Sequence, residues 1–344
     1  MSQPIQFTSL LDVINHCDDF PHPSSNLKAY SARVNSLYHF KVSGDSATLG
    51  YMLPSIARIF GSYPQWTINA KCRPKTLTLT AGPDASSRSA AIATTLAALR
   101  ERGTFAVLSN WRDELKPAYG ASGNLLFSVE RAAFPLFGIV GYGVMLLAYT
   151  RASAQDGSLE KGGDRRKEIS GIWVQRRSRS ARTHAGFLDG TAAGGMPVDR
   201  TPFATLLAEA EEEASFTKEL VSARARACGT LSYFHTRKKE MGGEVGLLQP
   251  GVHFLYEMEL FPEDGVRPRS NDGNVAGFEL LTPEELKAEI LAGRAKPWFA
   301  LAAIDFLVRH GIITEENERD YVEICMRLHR NLEFPVFGVS FLNR

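Results

Sequence analysis

The sequence predicts an α/β protein in two parts, a small α+β module followed by a longer region where strands and helices alternate. Three observations lead there. The chain is long enough for two cores, short alternating segments surround a single helical pattern in its first third, and a strand, glycine turn, helix, strand succession runs from Gly171 onward.

The 344 residues are 44% hydrophobic and 22% charged, ordinary for a folded globular chain. Lys and Arg total 39 against 38 Asp and Glu, so a formal charge of +1 gives no overall field toward nucleic acid or an anionic membrane. Any basic character is local. Cys17, Cys72, Cys228 and Cys325 lie far apart without a CxxC pair, which argues against a zinc knuckle or disulfide scaffold and suits a reducing compartment. The stretch to Phe20 carries Asp12, Asp18 and Asp19 and no basic lead, unlike a secretory or transit peptide, so a cytosolic protein is expected. The longest uncharged run, Phe134 to Thr150, falls short of the roughly 20 residues of a membrane helix and is interrupted by Gly138, Gly141 and Gly143. Buried strands joined by a glycine turn are expected there, and no membrane partner.

From about Asn26 to Glu130, alternating segments such as Leu77-Thr78-Leu79-Thr80 accompany one helical pattern, Ser87 to Arg102, in which Ile92, Leu96 and Leu99 share a face. The polar stretch Ala152 to Ser170, with Gly157, Gly162 and Gly163, reads as a surface loop. A strand over Ile172–Gln175, a helix over Pro202–Phe216 and strands over Gly229–Phe234 and Val252–Leu260 follow. Late helices are expected at Pro297–Arg309, closed by Gly311, and at Glu315–Asn331, capped by Thr314. Between the strands, His235 to Gly251 and Pro262 to Gly277 read as loops over the sheet's site. The expected division is an accessory domain over residues 1–130, a second domain over 131–335 and a tail over 336–344.

The informative segment begins at Gly194-Gly195 and continues into the helix. Thr201 suits the N-cap and Pro202 the first helical position. At about 100° per residue, Phe203, Leu206, Leu207, Ala210 and Ala214 form one stripe, while Glu209, Glu212 and Glu213 gather on another and Glu211 points away. Three acids on one face near the negative end of the helix dipole repel one another. A hard divalent cation, Mg²⁺ or Mn²⁺, relieves that repulsion and can bridge to phosphate oxygens, so these glutamates are candidate metal ligands and catalytic residues. A solvated acidic face is the plain alternative. Arg176 and Arg177 are candidate diphosphate ligands, with a solvated loop as their alternative reading. The basic stretches near Arg224 and Arg237 lack interleaved aromatics, which argues against nucleic acid and leaves a small molecule as the expected partner.

This segment resembles the Nudix box, with Gly194 at its first glycine and Glu209, Glu212 and Glu213 on its principal acidic positions. The flanks Trp173 to Ser178, Gly186-Phe187-Leu188-Asp189 and Ala193-Gly194-Gly195 resemble a two-part Nudix family of fungi and plants that includes the amino-terminal part of some fungal thiamine pyrophosphokinases. Trp111 to Leu115, Glu130 to Ala133, Asp305-Phe306-Leu307, Arg309-His310-Gly311 and Leu328-His329-Arg330 extend the likeness across Asn26 to Pro335. The resemblance implies a Nudix α/β/α sandwich behind an amino-terminal α+β accessory domain. It also implies metal-dependent hydrolysis of thiamine diphosphate or a related compound to the monophosphate, with Gly194 and Gly195 in the substrate site.

Several positions depart from the family. Against the general box, the inner glutamate is Arg200, the arginine Ala208 and the late glycine Ser215, although Glu212-Glu213-Ala214-Ser215 resembles the two-part family's own form of it. Ala181, Ala204, Asn274 and Ala276 stand where the family carries charged groups. The loss of carboxylates at 274 and 276 removes candidates for orienting an attacking water. Two outcomes follow, a changed diphosphate substrate or a pocket repurposed for isomerisation or cyclisation of an organic molecule.

Overall fold

The computed structural model describes residues 5–152, 168–181, 183–271 and 273–337. Most of the expected surface loop after Ala152, together with Arg182, Asp272 and the tail from residue 338, lies outside the described residues.

The first part of the chain forms helices α1 (Leu10–Cys17), α2 (Leu27–Ser36), α3 (Pro54–Phe60) and α4 (Ala85–Glu101). Its strands are β1 (Tyr38–Val42), β2 (Gly50–Met52), β3 (Trp66–Asn69), β4 (Thr76–Leu79), β5 (Leu115–Tyr119) and β6 (Leu125–Glu130). Strands β2, β1, β4 and β3 pair in that order, and β5 and β6 form a separate hairpin. Period-two alternation sends Leu77 and Leu79 of β4 into a core with Ile92, Leu96 and Leu99 of α4, the three residues that recur at helical spacing. Ala118, Leu126, Phe127 and Val129 of the hairpin enter the same core.

The second part contributes β7 (Gly141–Arg151), β8 (Ile169–Arg177), β9 (Leu188–Asp189), β10 (Ala192–Gly195), α5 (Pro202–Ala214), α6 (Lys218–Arg224), β11 (Arg226–Thr236), β12 (Leu248–Glu259), β13 (Val275–Leu281), α7 (Pro283–Leu291), α8 (Pro297–Arg309) and α9 (Tyr321–Arg327). A seven-stranded mixed sheet runs β11-β12-β7-β8-β13, with β10 also on β7 and β9 on β8. Alternation along β7 explains the layering. Met145, Leu147 and Tyr149 face α1, α7, α8 and α9, whereas Val144, Leu146 and Ala148 face α5 and α6. The result is a sheet covered by helices on both faces, the α/β/α sandwich expected. No helix among the described residues is long and apolar enough to cross a membrane.

Helix α1, on the accessory side of residue 130 in sequence, packs in the second core beside α8. Asp18, at its end, accepts hydrogen bonds from the Phe234 amide at 2.7 Å, Arg330 at 3.0 Å and Arg327 at 3.3 Å. The first and last segments are thus tied to the sheet by one carboxylate.

Two local expectations are corrected. Phe134 to Thr150 is a short 3-10 turn over Phe134–Leu136 and a single strand, because Gly138 turns the chain at φ +61° before β7 begins. No helix starts at Glu315. Asn317 accepts from the Thr314 amide at 3.0 Å and donates to the Ile312 carbonyl at 2.9 Å, a side-chain-to-backbone turn that competes with helix until Tyr321.

Candidate functional site

Helix α5 begins as its sequence dictates. The Thr201 hydroxyl accepts from the Ala204 amide at 3.2 Å, and Pro202 occupies the first turn, where its missing N–H is no loss. Leu206, Ala210 and Ala214 are fully buried on the sheet. Phe203 instead rests at the edge, 37% exposed, against the ring of Tyr256. The helix ends at Ser215 with φ +56°, the left-handed region where glycine is at home. Its hydroxyl donates to the Arg269 carbonyl at 2.9 Å, and the Arg269 amide returns a bond to Ala214, which offsets the strain of a side chain there.

The three glutamates occupy three environments. Glu212 is exposed and Glu209 partly buried, while Glu213 is only 8% exposed and turned to the sheet. Glu213 Oε2 accepts from Gln175 Nε2 on β8 and from the Ala193 amide on β10, both at 2.9 Å. Burial pushes its carboxyl up to about 8, against the Ala193 N–H, which acts to lower it. Burial also raises Glu209, and the neighbouring Glu212 charge raises it further.

Gly194 makes room for Glu209. A Cβ at position 194 would fall on the Glu209 carboxylate, so glycine here leaves the space that this carboxylate occupies. Gly195 does the same for another side chain, since a Cβ there would lie 2.8 Å from Lys116 Nζ on the hairpin. The backbones meet as well, with the Val198 amide donating to the Leu115 carbonyl at 3.0 Å. The site is therefore bounded by α5, β10 and β5.

Lys116 is 7% exposed, with its ammonium 2.5 Å from Glu114, which Arg131 also holds at 2.7 Å. Burial lowers the Lys116 ammonium, and Glu114 and Glu209 act to raise it. Burial would raise Glu114, but Lys116 and Arg131 together bring it below its ordinary value. Trp111 to Glu114 form a packing corner beside Lys116. The packing is present, with Arg100 over the Trp111 ring and the indole bonded to Asp113 at 2.8 Å. Nothing local in the sequence signals that this corner also abuts the acidic helix.

Arg176 and Arg177 are committed elsewhere. Arg176 pairs bidentately with Glu279 at 2.5 and 3.0 Å and donates to the Gly186 carbonyl, and Arg177 reaches Thr183 and Asp189. Of the histidines on the strands, His235 is buried edge-on to Trp298 and His253 stacks on Tyr233. Burial pushes both down to about 4, the pattern of packed neutral rings.

The donor set suits Mg²⁺ or Mn²⁺. It consists of carboxylate oxygens without sulfur or imidazole, and no donor to Glu209 is found among the described residues. Glu209 and Glu212 are the pair that would hold the ion, with Glu213 behind them. As the side chains stand, no three His, Cys, Asp or Glu groups among the described residues converge on one point.

Residues 13–141 match a domain family described as of unknown function, DUF4743. An uncharacterized protein of Saccharomyces cerevisiae is 31% identical over 235 residues, 67% of this chain and 64% of its own length. Nudix hydrolase 20, chloroplastic, of Arabidopsis thaliana is 33% identical over 242 residues, 70% of this chain and 58% of its own. The chain thus spans about 58 to 64% of the length of the curated relatives it matches. A crystal structure of DR0079 from Deinococcus radiodurans aligns over 63% of this chain and 100% of its own at 18% identity, with a TM-score of 0.36.

Proposed function

We propose that the chain is a Nudix hydrolase that uses Mg²⁺ or Mn²⁺ to cleave the diphosphate of a small organic molecule, of thiamine-diphosphate type by the resemblance of its motifs. One observation carries the reading: the Glu209 carboxylate lies over the bare backbone of Gly194, next to Glu212, at the crossing of α5 and β10. Similarity to a plant Nudix hydrolase over 70% of the chain supports the family. A bound divalent ion supplies charge neutralisation to the phosphate oxygens in the displacement at phosphorus. The chain's own residues do the rest. Gly194 and Gly195 admit close approach, and Glu213, its Oε2 taken by two donors, stands behind them with its carboxyl pushed up to about 8 by burial.

The test is a panel of nucleoside, sugar, thiamine and isoprenoid diphosphates incubated with Mg²⁺ or with EDTA. Release of monophosphate from the thiamine-type compound in the Mg²⁺ arm alone is expected. Turnover confined to nucleotides would remove the thiamine assignment. A second reading, isomerisation or cyclisation of an organic substrate, draws on the side chains as they stand, since the three carboxylates do not converge. Full native turnover retained in EDTA would favour it.

A further inference from the structure

Helix α5 carries Glu209, Glu211, Glu212 and Glu213 and not one basic residue. The cations that face Glu209 come from the β5–β6 hairpin, where Lys116 and Arg131 both act to lower its carboxyl. Lys116 is an unusual side chain on a short hairpin. It is buried at 7% exposure, in contact with Glu114, and its ammonium makes no hydrogen bond beyond that contact among the described residues. An ammonium has three N–H donors, so most of its capacity is unused in a setting where unmet donors are costly. Two features keep it there: Gly195 leaves the space it fills, and the Val198-to-Leu115 backbone bond fixes the strand that carries it. Arg131 also pairs with Glu114, so Glu114 remains neutralised when Lys116 turns to a ligand.

We propose that Lys116 is a phosphate-binding residue of the site, supplied by the first module, so that the helix provides the acids that hold metal and the hairpin provides the cation that holds a terminal phosphate. The inference rests on the diphosphate reading above and makes the site a composite of both parts of the chain. It gives the amino-terminal module a direct part in substrate recognition. The ligand class is a compound with a terminal phosphoryl group, and a charge-assisted contact of this kind contributes about tenfold or more in affinity.

The experiment uses the full chain and inorganic pyrophosphate as probe, with calorimetric titration in Mg²⁺. The variants are Lys116→Met, Lys116→Arg and Gly195→Ala, each checked by thermal melting, and Mn²⁺ titration without pyrophosphate serves as a separate readout. Lys116→Met should weaken pyrophosphate about tenfold or more and leave Mn²⁺ affinity equal or tighter, with Lys116→Arg restoring much of the loss. Gly195→Ala, whose new methyl displaces the ammonium, should weaken pyrophosphate while retaining the lysine. If Lys116→Met melts early, Gly195→Ala and Lys116→Arg decide the matter. Parent-like pyrophosphate affinity in Lys116→Met or Gly195→Ala, or a parent that does not bind pyrophosphate, overturns the proposal. A parent that binds pyrophosphate through Lys116 but turns over no organic diphosphate overturns hydrolysis and leaves this inference standing.

Discussion

Among the buried carboxylates of the described residues, Asp18 at 1% and Glu213 at 8% exposure have acidities that move in opposite directions. Burial raises both. At Asp18, His22 at 2.5 Å, Arg330 at 3.0 Å and the Phe234 amide outweigh it, so the carboxyl sits below its ordinary value. Among the described residues Glu213 has two neutral donors, and burial wins. Similar burial with unequal compensation separates a structural joint from a carboxylate of the proposed metal site.

The comparison breaks first at Asp18. Asp18→Ala strands Arg330, itself buried, and unties the first and last segments from the sheet, so chemical denaturation should show a loss of about 3–5 kcal/mol. A loss below about 1 kcal/mol would mean that the joint is not a joint. The sign of its pH dependence follows from the depressed carboxyl. This stabilisation is complete above the unfolded value of about 4 and disappears as pH falls through the lower folded value.

The acidic helix should behave in the opposite way. Glu209→Gln removes like-charge repulsion with Glu212, so the melting temperature should hold or rise while metal-dependent turnover falls about a hundredfold or more. An unfolded Glu209→Gln protein would place that residue with Asp18 as structure. Glu213 sharpens the contrast through pH. Its folded value of about 8 stands above an unfolded value near 4, so in the metal-free protein stability is lost as pH climbs between them. Glu213→Gln should flatten that slope and recover about 2 kcal/mol at neutral pH, and saturating Mg²⁺ should flatten it in the parent. Identical melting-temperature profiles of parent and Glu213→Gln across pH 4.5 to 8 would show the shift to be absent.

What was readable in the sequence follows the range of the forces involved. Helix α5 was legible from Thr201 and Pro202 through Ala214, because a cap, a first-turn proline and a periodic stripe act within a few residues of one another. Two-sided coverage of the sheet was likewise implied by the family's motifs and appears in the alternation along β7. The Thr314 cap misled because the Asn317 side chain competes for the same backbone, and local signals do not rank such competitors. Lys116 was invisible for a different reason. It lies in another module, and only the folded approach of β5 to Gly195 brings it beside Glu209. The pairing of Arg176 was equally invisible, since its partner Glu279 comes from β13 across the sheet.

The smallest expected effect tests whether position on α5, and not acidity alone, defines the site. Glu211 shares the helix with the other three but points to solvent, pairing with Lys218 at 3.2 Å where both side chains are more than half exposed. Exposed pairs of this kind contribute about 0.2–0.5 kcal/mol, because water and side-chain entropy offset most of the attraction. Glu211→Gln should therefore shift stability by no more than that and leave Mn²⁺ affinity and turnover at parental values. Calorimetric Mn²⁺ titration of Glu211→Gln beside Glu212→Gln gives the comparison in one measurement. If Glu211→Gln weakened Mn²⁺ as much as Glu212→Gln, the cation would be held by the diffuse negative field of the whole helix, and the crossing of α5 with β10 would lose its claim as the site.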